Sequence, residues 1–509
     1  MRGGEFGNGL AHSGCAMIVP DATPRPIDHV LAGAPDAPAL IERAGVLDYA
    51  MLEDAVARCA GWLAAQGFAP GDRVASWLPK TRMACLLPLA VPRAGLVHVP
   101  INPALRRAQV EHILTDSGAR LLVTQTARIT GLDGIATPIV AEDALDGPAL
   151  GRSDADPGAL AAILYTSGST GRPKGVMLSH ANLWLGAVSV AQYLKLTPAD
   201  RVLGVLPLSF DYGQNQLLSS WMAGASVAPL DYLTARDVVK AVTRVAATTL
   251  AGVPPLWVQL LEAEWPAETA AMLRRLTNSG GALTPRLVRD LRARFPAADL
   301  YAMYGLTEAF RSTYLDPELI DAHPDAIGQA IPFAEVMAVR GDGTRAGAGE
   351  PGELVHAGPL VAQGYWQDAE RTAQRFRPAP EFAASGGMAV WSGDTVVEGE
   401  DGLFRFVGRD DEMIKSAGNR ISPQEIEEAV LAGGEAREAV AMGIADARLG
   451  QAIHVVLAGD PAREELLRAR LKRDLPSFMQ PRSYDWRDAL PRNANGKLDR
   501  AGLRQEMQA

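Results

Sequence analysis

Between Ile18 and about Val407 the chain alternates short β-like runs with amphipathic helical stretches, and this alternation constrains the fold more than any other feature. Strands that alternate with helices build layered α/β structures. The segment Tyr49–Ala65 has apolar residues at helical spacing. Strands are expected at Arg73–Trp77, Leu160–Tyr165, Arg201–Leu208 and Leu250–Pro254, and a smaller β-subdomain at Gly341–Leu360.

The last hundred or so residues have a different pattern of predicted helices and strands, and a domain boundary is expected near Gly408. Helices are predicted at Ile421–Leu431 and Pro461–Leu475, and strands at Ala439–Ile444 and Ile453–Ala458. The predicted fold class is therefore α/β, with a large N-terminal body of layered α/β subdomains plus a β-subdomain, and a small mobile α+β C-terminal domain. The expected divisions are a vector-derived or disordered leader at 1–17, the large domain at 18–407 and the small domain at 408–509.

Composition excludes several classes of function. The 59 acidic and 49 basic side chains give a formal charge of -10, whereas duplex binding normally leaves a basic footprint. The cysteines Cys15, Cys59 and Cys85 have neither a disulfide framework nor metal-ligand spacing, as expected in a reducing cytoplasm. The most apolar stretch, Ala84–Ile101, is interrupted by Pro88, Pro92 and Arg93 and is too short to span a bilayer. We therefore expect a cytoplasmic protein with no nucleic-acid partner and no membrane span.

The segment Leu164–His180, LYTSGSTGRPKGVMLSH, carries the clearest chemical signal. Its glycines allow successive backbone N–H groups to converge on one anion, and its hydroxyl groups and Lys174 add charge-assisted contacts. The spacing differs from that of the P-loop. A flexible surface loop is the weaker interpretation, because a predicted buried strand leads directly into the segment. A polyphosphate is the expected ligand.

Together with four further segments, this loop resembles the AMP-forming adenylating superfamily of acyl-CoA synthetases, stand-alone amino-acid adenylating enzymes and luciferases. Tyr304–Glu308 (YGLTE) is similar to the YGxTE motif, and Trp391–Asp394 (WSGD) to W-x-G-D. Gly408–Lys415 (GRDDEMIK) resembles the hinge segment, and Asn495–Lys497 the C-terminal lysine loop. The order of the motifs also matches, and the resemblance covers essentially the whole chain after Met17.

The resemblance implies a role for each matching position. ATP phosphates would be held by Thr166, Ser167, Gly168, Ser169, Thr170, Gly171 and Lys174. Adenine would stack on Tyr304 beside Gly280, Gly281 and Ala282, and Asp394 would bind the ribose hydroxyls with Arg409 nearby. Thr307 would contact the α-phosphate, Glu308 would bind Mg²⁺, and Lys497 would lie between the substrate carboxylate and the α-phosphate.

The same resemblance implies two half-reactions with ATP and Mg²⁺ as cofactors. A carboxylate and ATP would give acyl-AMP and pyrophosphate, and a phosphopantetheine thiol would then displace AMP to form a thioester. Between the steps the small domain would rotate about Asp411, removing Lys497 and presenting the Lys415–Ile421 face. No carrier domain follows Ala509 in this sequence, so the thiol is expected from CoA or from a separate acyl or peptidyl carrier protein.

Substrate choice depends on Leu206–Asn215 (LPLSFDYGQN). Acyl-CoA and coumarate-type ligases often have a histidine where this chain has Phe210. The Phe210–Asp211 pair instead resembles the FDxS motif of amino-acid adenylation domains, in which the aspartate pairs with the α-ammonium group. A carboxylate in an apolar pocket is costly without a cation, and an amine-bearing substrate supplies one. This favours an amino-acid-like substrate loaded on a carrier protein.

The alternative is an acyl-CoA synthetase for a short, medium or aryl acid, in which Arg311 neutralises Asp211. In a further interpretation, Arg311 faces a second carboxylate or another polar group of the substrate. The resemblance places further pocket candidates at Tyr212, Asn215, Thr277, Ser279, Met303 and Ser312, a set too polar for a long-chain tunnel. A catalytically silent relative would require a broken motif, and all the motifs are intact.

Overall fold

A computed structural model describes residues 21–166, 173–281, 283–409, 413–491 and 500–508. The first part of the chain contributes strands β1 Pro38–Ile41, β2 Val46–Asp48, β3 Arg73–Trp77, β4 Val97–Pro100, β5 Leu121–Thr124, β6 Ile139–Ala141, β7 Leu160–Thr166, β8 Lys174–Ser179, β9 Arg201–Gly204, β10 Ser226–Pro229, β11 Thr249–Gly252, β12 Arg275–Asn278 and β13 Asp299–Tyr304. The later strands are β14 Thr313–Tyr314, β15 Ala326–Ala330, β16 Glu335–Val339, β17 Pro351–Ala357, β18 Phe376–Pro378, β19 Met388–Glu398, β20 Phe404–Arg409, β21 Ile414–Ser416, β22 Asn419–Ile421, β23 Ala436–Asp446, β24 Gly450–Gly459 and β25 Ser483–Arg487.

The α-helices lie between these strands and pack on the faces of the sheets. They are α1 Tyr49–Ala64, α2 Arg82–Arg93, α3 Arg107–Ser117, α4 Thr126–Ile129, α5 His180–Tyr193, α6 Asp211–Met222, α7 Ala235–Val245, α8 Pro254–Glu262, α9 Ala267–Met272, α10 Pro285–Arg294, α11 Ala369–Arg375, α12 Pro423–Leu431, α13 Glu464–Asp474 and α14 Arg500–Gln508. Within the described ranges, no helix is long and apolar enough to cross a membrane.

The first sheet has the strand order β6-β5-β3-β4-β7-β8, so β7 and β8, the strands on either side of the predicted phosphate loop, lie at one edge. Strands β3 to β7 pair in parallel, whereas β8 returns antiparallel to β7. Thr166 therefore lies opposite Lys174 in the register of the pair. The strand pair brings together the two residues that flank the phosphate loop.

The largest sheet changes character at β13. On one side, β12, β11, β9, β10 and β1 continue it in parallel. On the other side, β14, β15, β20, β19, β17 and β16 continue it antiparallel and form a β-subdomain. This subdomain is larger than the predicted Gly341–Leu360 segment, which contains only β17. Tyr304 ends β13, so the YGLTE motif leaves the sheet at this change of direction. Ligands commonly bind at the carboxyl ends of parallel strands where the topology changes.

The third sheet and helices α12 to α14 form the small C-terminal domain. Its order is β22-β21-β24-β23, with β25 parallel to β24. A separate apolar core includes Ile426, Val455, Leu457 and Leu467, each fully buried. The predicted fold class, a large α/β body with a small α+β domain, is confirmed.

Most predicted elements occur close to their predicted positions, and local chemistry explains their ends. Asp48 caps α1 by accepting a hydrogen bond from the Met51 N–H at 2.7 Å. Several predicted boundaries were wrong: β9 ends at Gly204 rather than Leu208, β11 ends at Gly252 rather than Pro254, and α12 begins at Pro423 rather than Ile421. In addition, α13 begins at Glu464 rather than Pro461, and both β23 and β24 extend beyond the predicted strands. Pro254 and Pro423 each occupy the first turn of a helix, where their missing N–H group has no partner to lose.

Candidate functional site

A cavity of about 350 Å³ lies where β7 and β13 end and α6 begins. The C-terminal domain contributes Met413, Gly418 and Asn419 to its wall, so the β21–β22 hairpin packs over the opening. The predicted site residues that line it are Thr166, Lys174, Asp211, Tyr212, Ser279, Gly280, Thr307, Glu308 and Arg311. The fold thus gathers residues from five separate stretches of sequence around one space.

Tyr365 lines the same cavity and connects two of the predicted ATP-binding residues. Its hydroxyl donates to Glu308 Oε1 at 2.7 Å and accepts from Lys174 Nζ at 2.7 Å. Lys174 Nζ also donates to Glu308 Oε1 at 3.0 Å. The ammonium group compensates a carboxylate that is only 5% exposed. Sequence reasoning missed Tyr365, as well as Arg371, Gln374 and Arg375 of α11, because none lies in a recognised motif.

Several predicted residues lie outside the described part of the chain. These are Ser167, Gly168, Ser169, Thr170 and Gly171 of the phosphate loop, Ala282, the hinge residue Asp411 and the catalytic candidate Lys497. Their roles therefore stay predictions. Arg409 is described as part of β20, where its backbone pairs with that of Asp394.

A second cleft, of about 110 Å³, adjoins the first at Gly280 and Gly305. Tyr304 and Asp394 both line it, and the Tyr304 hydroxyl donates to Asp394 Oδ2. Phe406 and Lys415 complete it, with the Lys415 ammonium 4.9 Å from the centre of the Phe406 ring. Aromatic rings beside a buried carboxylate suit a planar heterocycle joined to a polyol, as in adenosine. The residue pair predicted for adenine and ribose is brought together here.

A strained turn directs Arg311 toward the large cavity. Phe310 has φ +62° and ψ -61°, and the Arg311 N–H donates to the Ala309 carbonyl at 2.6 Å, the pattern of a γ-turn with positive φ. Such a conformation costs on the order of 1–3 kcal/mol and persists only when surrounding contacts hold it. The Phe310 ring is buried against Gly186 of α5, where a Cβ atom would lie 2.4 Å from the ring.

Asp211 is the first residue of α6 and lies beside this arginine. Its Oδ1 atom accepts a hydrogen bond from Thr307 Oγ1 at 3.1 Å, and its Oδ2 atom is 3.8 Å from Arg311 Nη1. Arg311 also donates to Ser279 Oγ at 3.4 Å, and its guanidinium lies 4.5 Å from the centre of the Tyr212 ring. Burial raises the pKa of Asp211, although Arg311 and Thr307 act in the opposite direction. The existing partners therefore compensate the buried carboxylate incompletely.

The other predicted pocket residues divide into two groups. Asn215, Thr277 and Met303 line a small inner cavity of about 20 Å³ together with Arg311 and Tyr212. Within it, the Tyr212 hydroxyl donates to the Thr277 carbonyl at 2.7 Å.

Ser312 lines neither cavity and is instead hydrogen-bonded to His356 Nδ1 at 3.0 Å. Burial lowers the pKa of His356 to about 3, so this histidine is neutral at physiological pH. Of the predicted pocket residues, Ser312 thus supports the wall rather than facing the space.

Comparison with known proteins agrees with this geometry. The family model "AMP-binding enzyme" matches residues 27–366, and "AMP-binding enzyme C-terminal domain" matches residues 425–497. An L-proline–[L-prolyl-carrier protein] ligase of Pseudomonas fluorescens is 32% identical over 94% of this chain and 98% of its own length. A probable non-canonical nonribosomal peptide synthetase of Salinispora arenicola, CymA, is 32% identical over 97% of this chain, which spans only 6% of that synthetase.

Among solved structures, o-succinylbenzoate CoA synthetase (MenE) of Bacillus subtilis, bound to its product analogue, superposes with a TM-score of 0.85. The match has 26% identity and covers 95% of this chain and 98% of the other. The chain therefore belongs to the family of AMP-binding enzymes, and its predicted class, an ATP-dependent, AMP-forming acid–thiol ligase, is confirmed.

Proposed function

We propose that the protein activates an amine-bearing carboxylic acid as its adenylate and loads it onto a phosphopantetheine thiol, most directly that of a separate carrier protein. The observation that carries this proposal is the environment of Asp211. Its carboxylate is largely buried, lines the large cavity and lies 3.8 Å from the nearest guanidinium nitrogen of Arg311.

That separation leaves room for another cation. Charge-assisted N–H···O bonds measure about 2.7–2.9 Å, so Arg311 attracts Asp211 without hydrogen-bonding it. A substrate ammonium group would donate to the Oδ2 atom and remove the cost of the buried charge. An analogue without the amine would leave that cost in place, which gives discrimination. The similarity to a ligase that acts on L-proline is consistent with this substrate class.

ATP and Mg²⁺ fit the other half of the cavity. No cluster of three potential metal-ligating side chains occurs in the described ranges, and Mg²⁺ characteristically binds through one or two carboxylates plus substrate phosphates. Glu308 already accepts a cationic group, the Lys174 ammonium, which shows that its carboxylate tolerates a positive neighbour. When bound, the metal would neutralise charge on the phosphates, while Lys174 and Thr307 would hold the phosphate oxygens.

The second step follows from the placement of the C-terminal domain. Gly418 and Asn419, which belong to the predicted Lys415–Ile421 face, line the cavity, as expected for the thioester-forming step. The similarity to a synthetase bound to its CoA product analogue supports this assignment. Cytoplasmic location, the boundary at Gly408 and the identity of the acceptor stay predictions.

The specific alternative is an acyl-CoA synthetase for a short, medium or aryl acid. It is favoured by the same 3.8 Å approach of Arg311 to Asp211, if that attraction alone compensates the carboxylate. Asp211 would then be a structural partner of Arg311, and the substrate would need no amine.

Acid-dependent ATP–pyrophosphate exchange tests the proposal with amino acids and their des-amino analogues. Wild-type exchange should require the amine, and Asp211→Asn should abolish that requirement while Asp299→Asn, an exposed aspartate at the start of β13, leaves it intact. Equal exchange with and without the amine would refute the amino-acid assignment and support the acyl-CoA synthetase.

A further inference from the structure

The small inner cavity beside Arg311 has chemistry that the adenylation step does not explain. It has a volume of about 20 Å³ and shares Tyr212 and Arg311 with the large cavity, so these two side chains form the boundary between the spaces. Its other walls come from α5, α6, β9, β11, β12 and β13. The inner cavity is therefore the floor of the substrate pocket.

Several polar atoms at this floor lack partners. Gln216 Nε2 and Oε1, Asn215 Oδ1, Thr249 Oγ1 and Arg311 Nε are all buried, and none has a hydrogen-bond partner among the described residues. Buried polar groups in folded proteins are nearly always paired, so a concentration of unpaired ones calls for a ligand or ordered water. A hydrocarbon side chain would displace water and leave all of these atoms unpaired. The floor is suited to a polar terminus.

Charge balance narrows the chemistry of that terminus. Asp211 and Arg311 are opposite charges in one pocket, and the Arg311 side chain is only 3% exposed. If a substrate ammonium group neutralises Asp211, Arg311 loses much of its counter-charge. A second anion on the substrate would restore it, because a buried guanidinium needs a charged or hydrogen-bonded partner. This inference rests on the proposed function, because it requires the substrate amine to replace Arg311 as the counter-charge of Asp211.

We propose that the substrate is an amino acid with a second, distal carboxylate, which Arg311 and the Gln216 amide recognise at the pocket floor. The available volume holds about one water-sized group, so it accepts a terminal carboxylate oxygen but no extended chain. The 3.8 Å between Asp211 and Arg311 places the two charge-recognition points close together. Short acidic amino acids match that spacing.

The test measures kcat/KM for ATP–pyrophosphate exchange in the full-length protein with aspartate, glutamate, asparagine, glutamine, leucine, succinate and glutarate. Wild type should favour an acidic amino acid over its amide by about 100-fold or more, as expected when a missing partner leaves buried polar groups unpaired. Arg311→Gln, which keeps hydrogen-bonding capacity and removes the charge, should reduce this preference to below about 10-fold. Arg311→Lys should restore part of it.

A second variant guards against misfolding at position 311. Gln216→Glu places a negative charge at the floor and should shift the preference from the acid to its amide, with thermal unfolding measured for every variant. A merely structural role for Arg311 would lower exchange with all substrates equally and leave the ratio unchanged, which would overturn the assignment. Preference for leucine would overturn it as well, while the amine requirement would stand.

The two proposals fail in distinguishable ways. If succinate or glutarate is activated as well as the corresponding amino acid, and the second carboxylate is still required, the amino-acid function is wrong and recognition by Arg311 is supported. If the amine is required and the distal carboxylate has no effect, the proposed function stands and this inference is wrong.

Discussion

Glu425 lies at the junction of the two domains, and we expect it to make their packing depend on pH. The arrangement with the C-terminal domain against the N-terminal body is called packed here, and the arrangement in which it has moved away is called released. It lies in the first turn of α12, and Gln109 Nε2 of α3, in the N-terminal body, donates to its Oε1 atom at 3.1 Å. Gln109 also contacts Met479 Sδ at 3.4 Å. Burial raises the pKa of Glu425 to about 7, and the neighbouring charge of Glu428 acts in the same direction. The carboxyl group is therefore close to half-protonated at neutral pH.

The size of the effect on the free energy of domain packing follows from the pKa shift of Glu425. A rise from 4.5 to about 7 corresponds to about 3 kcal/mol, at 1.36 kcal/mol for each pKa unit. Burial disfavours the charged form of Glu425, so ionisation of this carboxyl group weakens the packed arrangement. Below pH 4.5 the packed and released forms are both protonated and no penalty arises. Between pH 4.5 and about 7 the penalty grows, and above pH 7 the packed arrangement is weakened by the full amount if release exposes Glu425.

Fluorescence energy transfer between the domains measures this equilibrium. Leu233 is 97% exposed and Leu466 63% exposed, so Leu233→Cys and Leu466→Cys provide one label site on each domain, with Cys15 replaced. The packed fraction of the wild type should fall as pH rises from 4.5 to about 7 and level off above that range. Glu425→Gln should remove that dependence, whereas Glu428→Gln should largely keep it. An unchanged pH profile in Glu425→Gln would refute the reasoning.

Two further substitutions test the geometry of the site. Gly213→Ala would place a Cβ atom 1.9 Å from the Pro207 carbonyl oxygen. We therefore expect the free energy of unfolding, measured with urea, to fall by about 1–3 kcal/mol, and amine discrimination in the exchange assay to weaken as α6 shifts. Unchanged stability would contradict the steric argument. Tyr365→Phe removes a hydroxyl that donates to Glu308. Because a hydrogen bond to a charged group contributes about 1.5–3 kcal/mol, we expect a small fall in melting temperature and a rise of about 10-fold in the KM for MgATP. A normal KM would exclude the positioning role.

Much of the site was predictable because its signals are local in sequence. Glycine and hydroxyl spacing indicated a phosphate-binding loop at Thr166–Lys174, and the resemblance of the YGLTE segment to a family motif implied roles for Thr307 and Glu308. Helix caps such as Asp48 and the periodicity of α1 likewise depend on residues a few positions apart. These signals come from residues that are close together in sequence, so they can be recognised before the fold is known.

The sequence alone thus determined the α/β layering and the order of the motifs, and it predicted which residues would carry the adenylation chemistry. Only the tertiary structure decided that Tyr365 joins Lys174 to Glu308, and that the turn at Phe310 brings Arg311 beside Asp211 over a polar floor. The residues in these contacts are between 57 and 191 positions apart in the sequence. They depend on strand order and on burial of the Phe310 ring against Gly186, which no local pattern encodes.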